Sequence, residues 1–396
     1  MRMFMAGSIP ALLLIFAWPA AAGIYTSIDL PEEMQYSRNL NTFRDVLTAI
    51  KLIAHPQPPS DSPIRRRYFL LEALGHKGAS ELPSIEQNLN YSAALIRRDK
   101  AAEAVDVLLP LSREHPENFL LLSQCAIAHF LAAGEGDELH VRAVEFQRQA
   151  LEAWPERWSD LDADKKKLAS VLWYPEEETA LTRYRRYEGY LLRLMSHRLA
   201  ESRKRKKKEA VEETLDPIFG DAKNPVRFVS EAGAFEIGRI TDADFRRLPD
   251  DAVEAVKQLL IWMPRDDRLM WLLGEVYNAS AMKYPKQDDK NAAIRDANSI
   301  LSQLSAETFN RYVYGSKEIK KRVEALQSIV AAMPPPQDLN PDKPFNLPDE
   351  NDGALLSNVQ FWRALGVSFI TGLAVGMFAL WQVQEMRRRR QARGAG

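Results

Sequence analysis

The sequence predicts a mainly α protein: an array of helical hairpins carrying one small β-hairpin, with a single transmembrane helix at the C-terminus. Three observations carry this. Between Ile85 and Ala153 apolar residues recur at three- and four-residue spacing in short runs broken by Gly or Pro, the period of helices that bury one face. Alternating β-branched and aromatic residues are confined to the region around 225–240, the pattern of a half-buried strand pair. From Ala364 to Trp381 there is no charged residue, and a helix of that length covers most of a bilayer's apolar layer.

Taken in chain order, residues 1–22 read as a signal peptide. A positive start at Arg2, an apolar run from Ile9 to Trp18 and a small-residue site ending at Ala22 are its three parts. Cleavage would follow Ala22. The alternative is an uncleaved anchor, because Met3 to Ile24 just suffices to span a bilayer. Residues 23–63 hold a first helix around Tyr36 to Ala54 and a linker dense in proline from His55 to Pro63.

Residues 64–160 form the first set of helical hairpins, with helices predicted at Ile85 to Arg97, Ala101 to Glu114, Phe119 to Ala132 and Glu138 to Ala153. Residues 161–213 hold a long amphipathic helix. Pro175 suits its first position, Glu176, Glu177 and Glu178 fill its first turn, and basic residues gather towards Lys208, which matches both ends of the helix dipole. Leu181, Tyr184, Tyr187, Leu191 and Leu194, continued by Arg198, step along one face. Such an aromatic stripe is a core face before it is a ligand platform.

Residues 214–245 are read as the β-hairpin insert, with strands at Pro225 to Ser230 and Phe235 to Ile240 around Glu231 to Ala234. Residues 246–332 are a second helical region. A stalk at 333–360 begins at Met333-Pro334-Pro335-Pro336, where proline density favours extended chain. The span occupies 361–383, with Trp362 and Trp381 at the headgroup layers, and the tail 384–396 carries Arg387, Arg388, Arg389 and Arg390. A basic block at the membrane edge is retained in the cytoplasm. The expected topology is therefore an extracytoplasmic domain, one span and a short cytoplasmic tail. Within the span Ala364, Ser368, Gly372 and Gly376 form a stripe of small residues, which lets two spans approach closely as a homodimer or with another protein.

A landmark recurs in the outside domain. Ala104 precedes Pro116, Ala143 precedes Pro155 and Ala252 precedes Pro264, each by twelve residues. This resembles the second helix of a tetratricopeptide repeat, in which a small alanine admits a neighbouring helix and a proline ends the unit. Leu273-Gly274 followed by Tyr277 resembles the first-helix element of that family. The departures are Gln147 where an aromatic is expected, Val256 and Leu108 for the usual Phe, and a Pro116 to Pro155 interval of 39 residues, with Gly134-Glu135-Gly136-Asp137 as the inserted turn. The resemblance implies stacked hairpins whose concave face holds a protein partner.

Composition excludes several function classes. With 53 basic against 54 acidic residues the chain lacks the basic excess of a nucleic-acid binder. Removing Arg2, Arg363, the five tail arginines and Glu385 leaves 46 basic and 53 acidic residues outside, a net charge of −7. One cysteine, Cys125, permits neither an intramolecular disulfide nor a cysteine zinc cluster; in its apolar run it reads as core. The six histidines include no pair four apart on a helix, no Gly-x-Ser-x-Gly elbow is present, and Gly75-His76-Lys77-Gly78 lacks the ending of a phosphate loop. No cofactor or metal is implied. The basic run Arg203 to Lys208 is either a solvated helix end or a contact for anionic polymer or lipid. Asn90-Tyr91-Ser92 and Asn278-Ala279-Ser280 fit the glycosylation triplet but fall in predicted helices.

The functional expectation is a membrane-anchored scaffold or adaptor, not an enzyme. Its helical domain binds a protein partner at the outer face of the membrane. The alternative is an enzyme, or an accessory subunit of an envelope enzyme complex, with a site assembled from distant residues.

Overall fold

The computed structural model describes residues 84–134, 137–173, 177–207, 215–221, 223–305 and 316–334, together with Phe43 and Leu47. The chain divides into two compact units, Met1–Met333 and Pro334–Gly396, and every described helix lies in the first. In chain order these helices are α1 (Ile85–Arg97), α2 (Ala101–Glu114), α3 (Phe119–Ala132), α4 (Asp137–Ala153), α5 (Ala163–Trp173) and α6 (Glu177–Lys206). After an irregular segment come α7 (Asp242–Arg247), α8 (Ala252–Trp262), α9 (Asp267–Ser280), α10 (Gln287–Ser305) and α11 (Ser316–Ala332). The chain is mainly helical, as its periodicity predicts.

Neighbours in sequence are neighbours in space. α1 packs on α2, α2 on α3, α3 on α4 and α4 on α6; further on, α8 packs on α9, α9 on α10 and α10 on α11. In each set one helix is enclosed by the others. α3 is buried at every position from Phe119 to Phe130, and α9 at every position from Arg268 to Ser280. A helix buried all round needs apolar neighbours on every side, and a hairpin array supplies them.

The two enclosed helices are entered through the same turn. α2 ends two residues before Pro116 and α8 two residues before Pro264. The C-cap residues His115 and Met263 have φ/ψ of −128/63 and −129/70, and the N-caps Asn118 and Asp266 have −85/98 and −82/100. The Asn118 N–H donates to the His115 carbonyl at 3.1 Å and the Asp266 N–H to that of Met263 at 3.0 Å. The Asn118 side chain then accepts from the Leu121 N–H, as Asp266 does from that of Leu269. Proline stops one helix and the Asx residue two positions later starts the next by taking up an orphan N–H. α4 also ends two residues before its proline, Pro155, but a short 3₁₀ turn at Trp158–Asp160 follows instead of a helix.

The landmark alanines are buried, with Ala104 and Ala143 fully enclosed and Ala252 1% exposed. At Gly274 a Cβ would lie 2.8 Å from the Cγ and Cδ2 of Leu301 on α10, so a larger residue would force Leu301 to shift at this close approach of α9 to α10. Gln147 is fully buried, and its amide donates to the carbonyl and carboxylate of Glu188 on α6.

α6 is the spine. Its 30 residues span about 45 Å. Leu181, Tyr184, Tyr187, Leu191 and Leu194 are all buried, so the stripe is core. Trp154 of the first set donates to the Leu181 carbonyl at 3.1 Å, and Trp262 of the second lies 6.4 Å from the Tyr184 ring.

The β-hairpin expected at 225–240 does not form, and the described residues contain no strand. Only isolated bridges appear, Gly220 with Pro225 and Glu236 with Arg239. The backbone finds other partners. The Arg227 N–H donates to the Asp244 carboxylate and the Gly238 N–H to the Asn278 amide oxygen. Ile237-Gly238, with φ +67 at the glycine, turns the second run back on itself. Alternation still buries Val226 and Phe228 against the helices, but burial without a facing strand gives a packed loop.

Among the described residues no helix is long and apolar enough to cross a membrane. The expected span 361–383, with Ala364, Ser368, Gly372 and Gly376, lies outside the described residues. So do the signal peptide ending at Ala22, the stalk beyond Pro334, and Arg387, Arg388, Arg389 and Arg390.

Candidate functional site

α4 and α6 run antiparallel, as Gln147 reaches Glu188 while Trp154 reaches Leu181. Where the middle of α4 meets the C-terminal part of α6 there is a groove of about 390 Å³. Val144 and Arg148 line it from α4; Ser196, Leu199, Ala200, Arg203 and Lys204 line it from α6, and Lys207 just beyond. Val144 and Leu199 are buried and form its apolar part, while the four cationic side chains are exposed. None of the four makes an ion pair with a described carboxylate, although Glu145 and Glu152 lie within about one turn of Arg148 on α4.

On another face of the same stretch of α6 the situation is the opposite. Arg198 donates to both oxygens of Asp216 and of Asp266, and Arg268 of α9 reaches Glu201 and Asp216. His197 Nδ1 lies 3.5 Å from Asp216 and 3.7 Å from Glu201. Asp216 has no exposed side-chain surface. Burial alone would raise its pKa, but Arg198, the His197 hydrogen bond and Arg268 outweigh burial and hold the carboxyl well below the usual range. Arg198 is held correspondingly above its ordinary value, its two carboxylates overcoming the desolvation that opposes its charge. This cluster ties α6, the 215–220 segment and α9 together, and its charges are spent on one another.

Other buried titratable groups are also partnered. Burial raises the pKa of Glu275, against Arg322 and the Trp271 indole, which donates to it at 3.0 Å. Burial pushes the Cys125 thiol up to about 12, with only partial relief from Ser112; a thiol so held is no nucleophile. Lys257 is 2% exposed, with its ammonium 5.3 Å from the Phe43 ring centroid and 5.5 Å from that of Tyr277. Burial lowers its pKa to about 8, while Glu254 and Asp296 pull the other way. Among the described residues no group of three or more His, Cys, Asp or Glu is placed to hold a metal ion.

The structure distributes the residues singled out in the sequence. Ala104, Pro116, Ala143 and Pro155 lie in the first helical set and Ala252, Pro264, Leu273, Gly274 and Tyr277 in the second; they shape packing and do not converge on one site. Asn90 and Asn278 are 5% and 4% exposed, which leaves no room for a glycan on the folded chain. The basic run contributes Arg203, Lys204 and Lys207 to the groove. Arg148 and Val144 were not foreseen, because only the register of α4 on α6 brings them there. A signal for the α6 wall does exist: Ser196, Ala200, Arg203 and Lys207 step by fours and threes.

No protein-family model, curated protein or solved structure matches the chain.

Proposed function

We propose that this chain is a membrane-anchored scaffold whose helical-hairpin domain, similar to tetratricopeptide arrays, holds a protein partner at the outer face of the membrane. The observation that carries the reading is the α4/α6 groove: an apolar floor beside four cations that make no ion pair with a described carboxylate. Consecutive packing of α1 to α4 and of α8 to α11 supports the array, because stacked hairpins leave extended grooves in which a partner segment can lie. The close approach at Gly274 and the two matching proline turns support the family likeness. The anchor rests on the apolar stretch from Ala364 to Trp381 and the arginines after it.

The test is mild crosslinking of the full-length tagged chain in its native membrane, with identification of the proteins captured. Proteins residing outside the membrane are the expected result. Cytoplasmic proteins would reverse the orientation, and recovery of the chain alone would sink the scaffold reading.

A further inference from the structure

We infer that the α4/α6 groove takes a short acidic protein segment carrying an apolar side chain; this rests on the scaffold reading and names the chemistry of its partner. The charge pattern is the first ground. Arg186, Arg193 and Arg198 of α6 each have a partner, in Asp251, in the carbonyls of Ile218 and Gly220, and in Asp216 with Asp266. Arg203 and Lys204 on the same helix and Lys207 just beyond it make no ion pair with a described carboxylate, and Arg148 faces them from the other wall. Like charges gathered with no ion-pair partner among the described residues repel one another, and a ligand supplying carboxylates relieves that repulsion.

A helix C-terminus favours basic residues through its dipole, which accounts for Arg203 to Lys207 as isolated side chains. It does not account for Arg148, which lies inside α4 with Val144 one turn before it. Shape is the second ground. A recess of about 390 Å³ with Val144 and Leu199 in its wall has room for a few side chains, whereas a bilayer surface is flat on this scale. Carboxylates on the arginines in forked geometry, with one aliphatic side chain against Val144 and Leu199, satisfy both ends of the groove.

The experiment uses the full-length chain in zwitterionic detergent micelles and a fluorescein-labelled peptide of four glutamates around one leucine, read by anisotropy. Binding is expected that weakens as salt rises. It should fall about tenfold or more in the double variant Arg148→Glu with Lys207→Glu, and similarly when the glutamates are replaced by glutamine. Both substituted residues are exposed, and unchanged far-ultraviolet circular dichroism confirms that the variant folds. Equal affinity for wild type and variant overturns the inference. So does displacement of the peptide by dihexanoyl phosphatidylglycerol, but not by dihexanoyl phosphatidylcholine, at concentrations below the peptide's own Kd, because the groove is then a lipid site. Crosslinking in the native membrane separates the two levels of the argument. Partners retained at wild-type yield by the variant overturn the groove and leave the scaffold standing; no protein captured by wild type overturns both.

Discussion

The two enclosed helices, α3 and α9, are reached through the same Pro-x-Asx turn, yet their buried polar groups are satisfied in different ways. Around α3 the partners are mostly neutral. Gln124 donates to the Leu89 carbonyl and to the Ser92 hydroxyl, and His129 bonds the Cys125 carbonyl, with burial lowering its pKa. Around α9 they are mostly ionic: Arg268 with Glu201 and Asp216, Glu275 with Arg322, and Asp266 with Arg198. One local backbone solution thus serves two packing regimes. A neutral amide at the cap leaves the turn self-contained, whereas a carboxylate there recruits a cation from α6 and couples the turn to the spine.

The severest way to break the comparison is Asp216→Ala. It leaves Arg198 and Arg268 short of a carboxylate inside the protein, and loss of one partner of a buried pair costs about 3–5 kcal/mol. Denaturant unfolding should show this at pH 7. The sign with pH follows from the lowered pKa: the contribution is fully present above the unfolded value of about 3.9 and is lost as pH falls through the folded one. A wild-type stability that does not decline in acid more steeply than that of the variant would contradict this account.

Next comes the pair Asp266→Ala and Asn118→Ala. Both lose a cap worth about 1 kcal/mol, but the first also strips a carboxylate from Arg198 and should cost about 2–4 kcal/mol. Equal losses would mean that the Arg198 contact adds nothing to the α9 turn.

Lys257→Met should act in the other direction. Burial holds the ammonium at about 8 against an ordinary 10.5, so the unfolded chain binds the proton more tightly across that window. Stability should therefore rise with pH from about 8 to 10.5, with the full cost present below it. Methionine removes that cost, about 1–3 kcal/mol at pH 7, and flattens the rise. A lower melting temperature for the variant would show that the Phe43 and Tyr277 rings outweigh burial.

The smallest effect expected is at Gly274. Gly274→Ala drives a Cβ to within 2.8 Å of Leu301 and should cost about 1–2 kcal/mol, although alanine is the better helix former by about 1 kcal/mol. A stabilised variant would show that Leu301 simply rotates away, and α10 would then be less closely fitted to α9 than the structure shows.

Much of the fold is legible in the residues. The three-and-four spacing marks α1, α2 and α3 to their ends, because capping and apolar period are local properties. The same holds for the buried stripe of α6. The hairpin failed for a non-local reason: the alternation at Val226 and Phe228 is real, but the hydrogen bonds of Arg227 and Gly238 are taken by Asp244 and Asn278 from helices the sequence does not place. The groove is half legible. Arg203, Lys204 and Lys207 stand out as a run, while Arg148 is one arginine among many until α4 is laid on α6.

The sequence by itself determined where α2 and α8 stop and α3 and α9 start, since the proline removes a donor and Asn118 or Asp266 supplies a cap, although Pro110 is accommodated inside α2. It also determined the mainly helical class and the absence of any disulfide within the chain, since Cys125 has no partner cysteine. Only the tertiary structure decided which charges are spent. Arg198 and Arg203 lie five residues apart on one helix, yet one is closed by Asp216 and Asp266 and the other faces an open groove. The physical reason is that an ion pair depends on distance and burial together, and both are set by how helices far apart in sequence pack against α6.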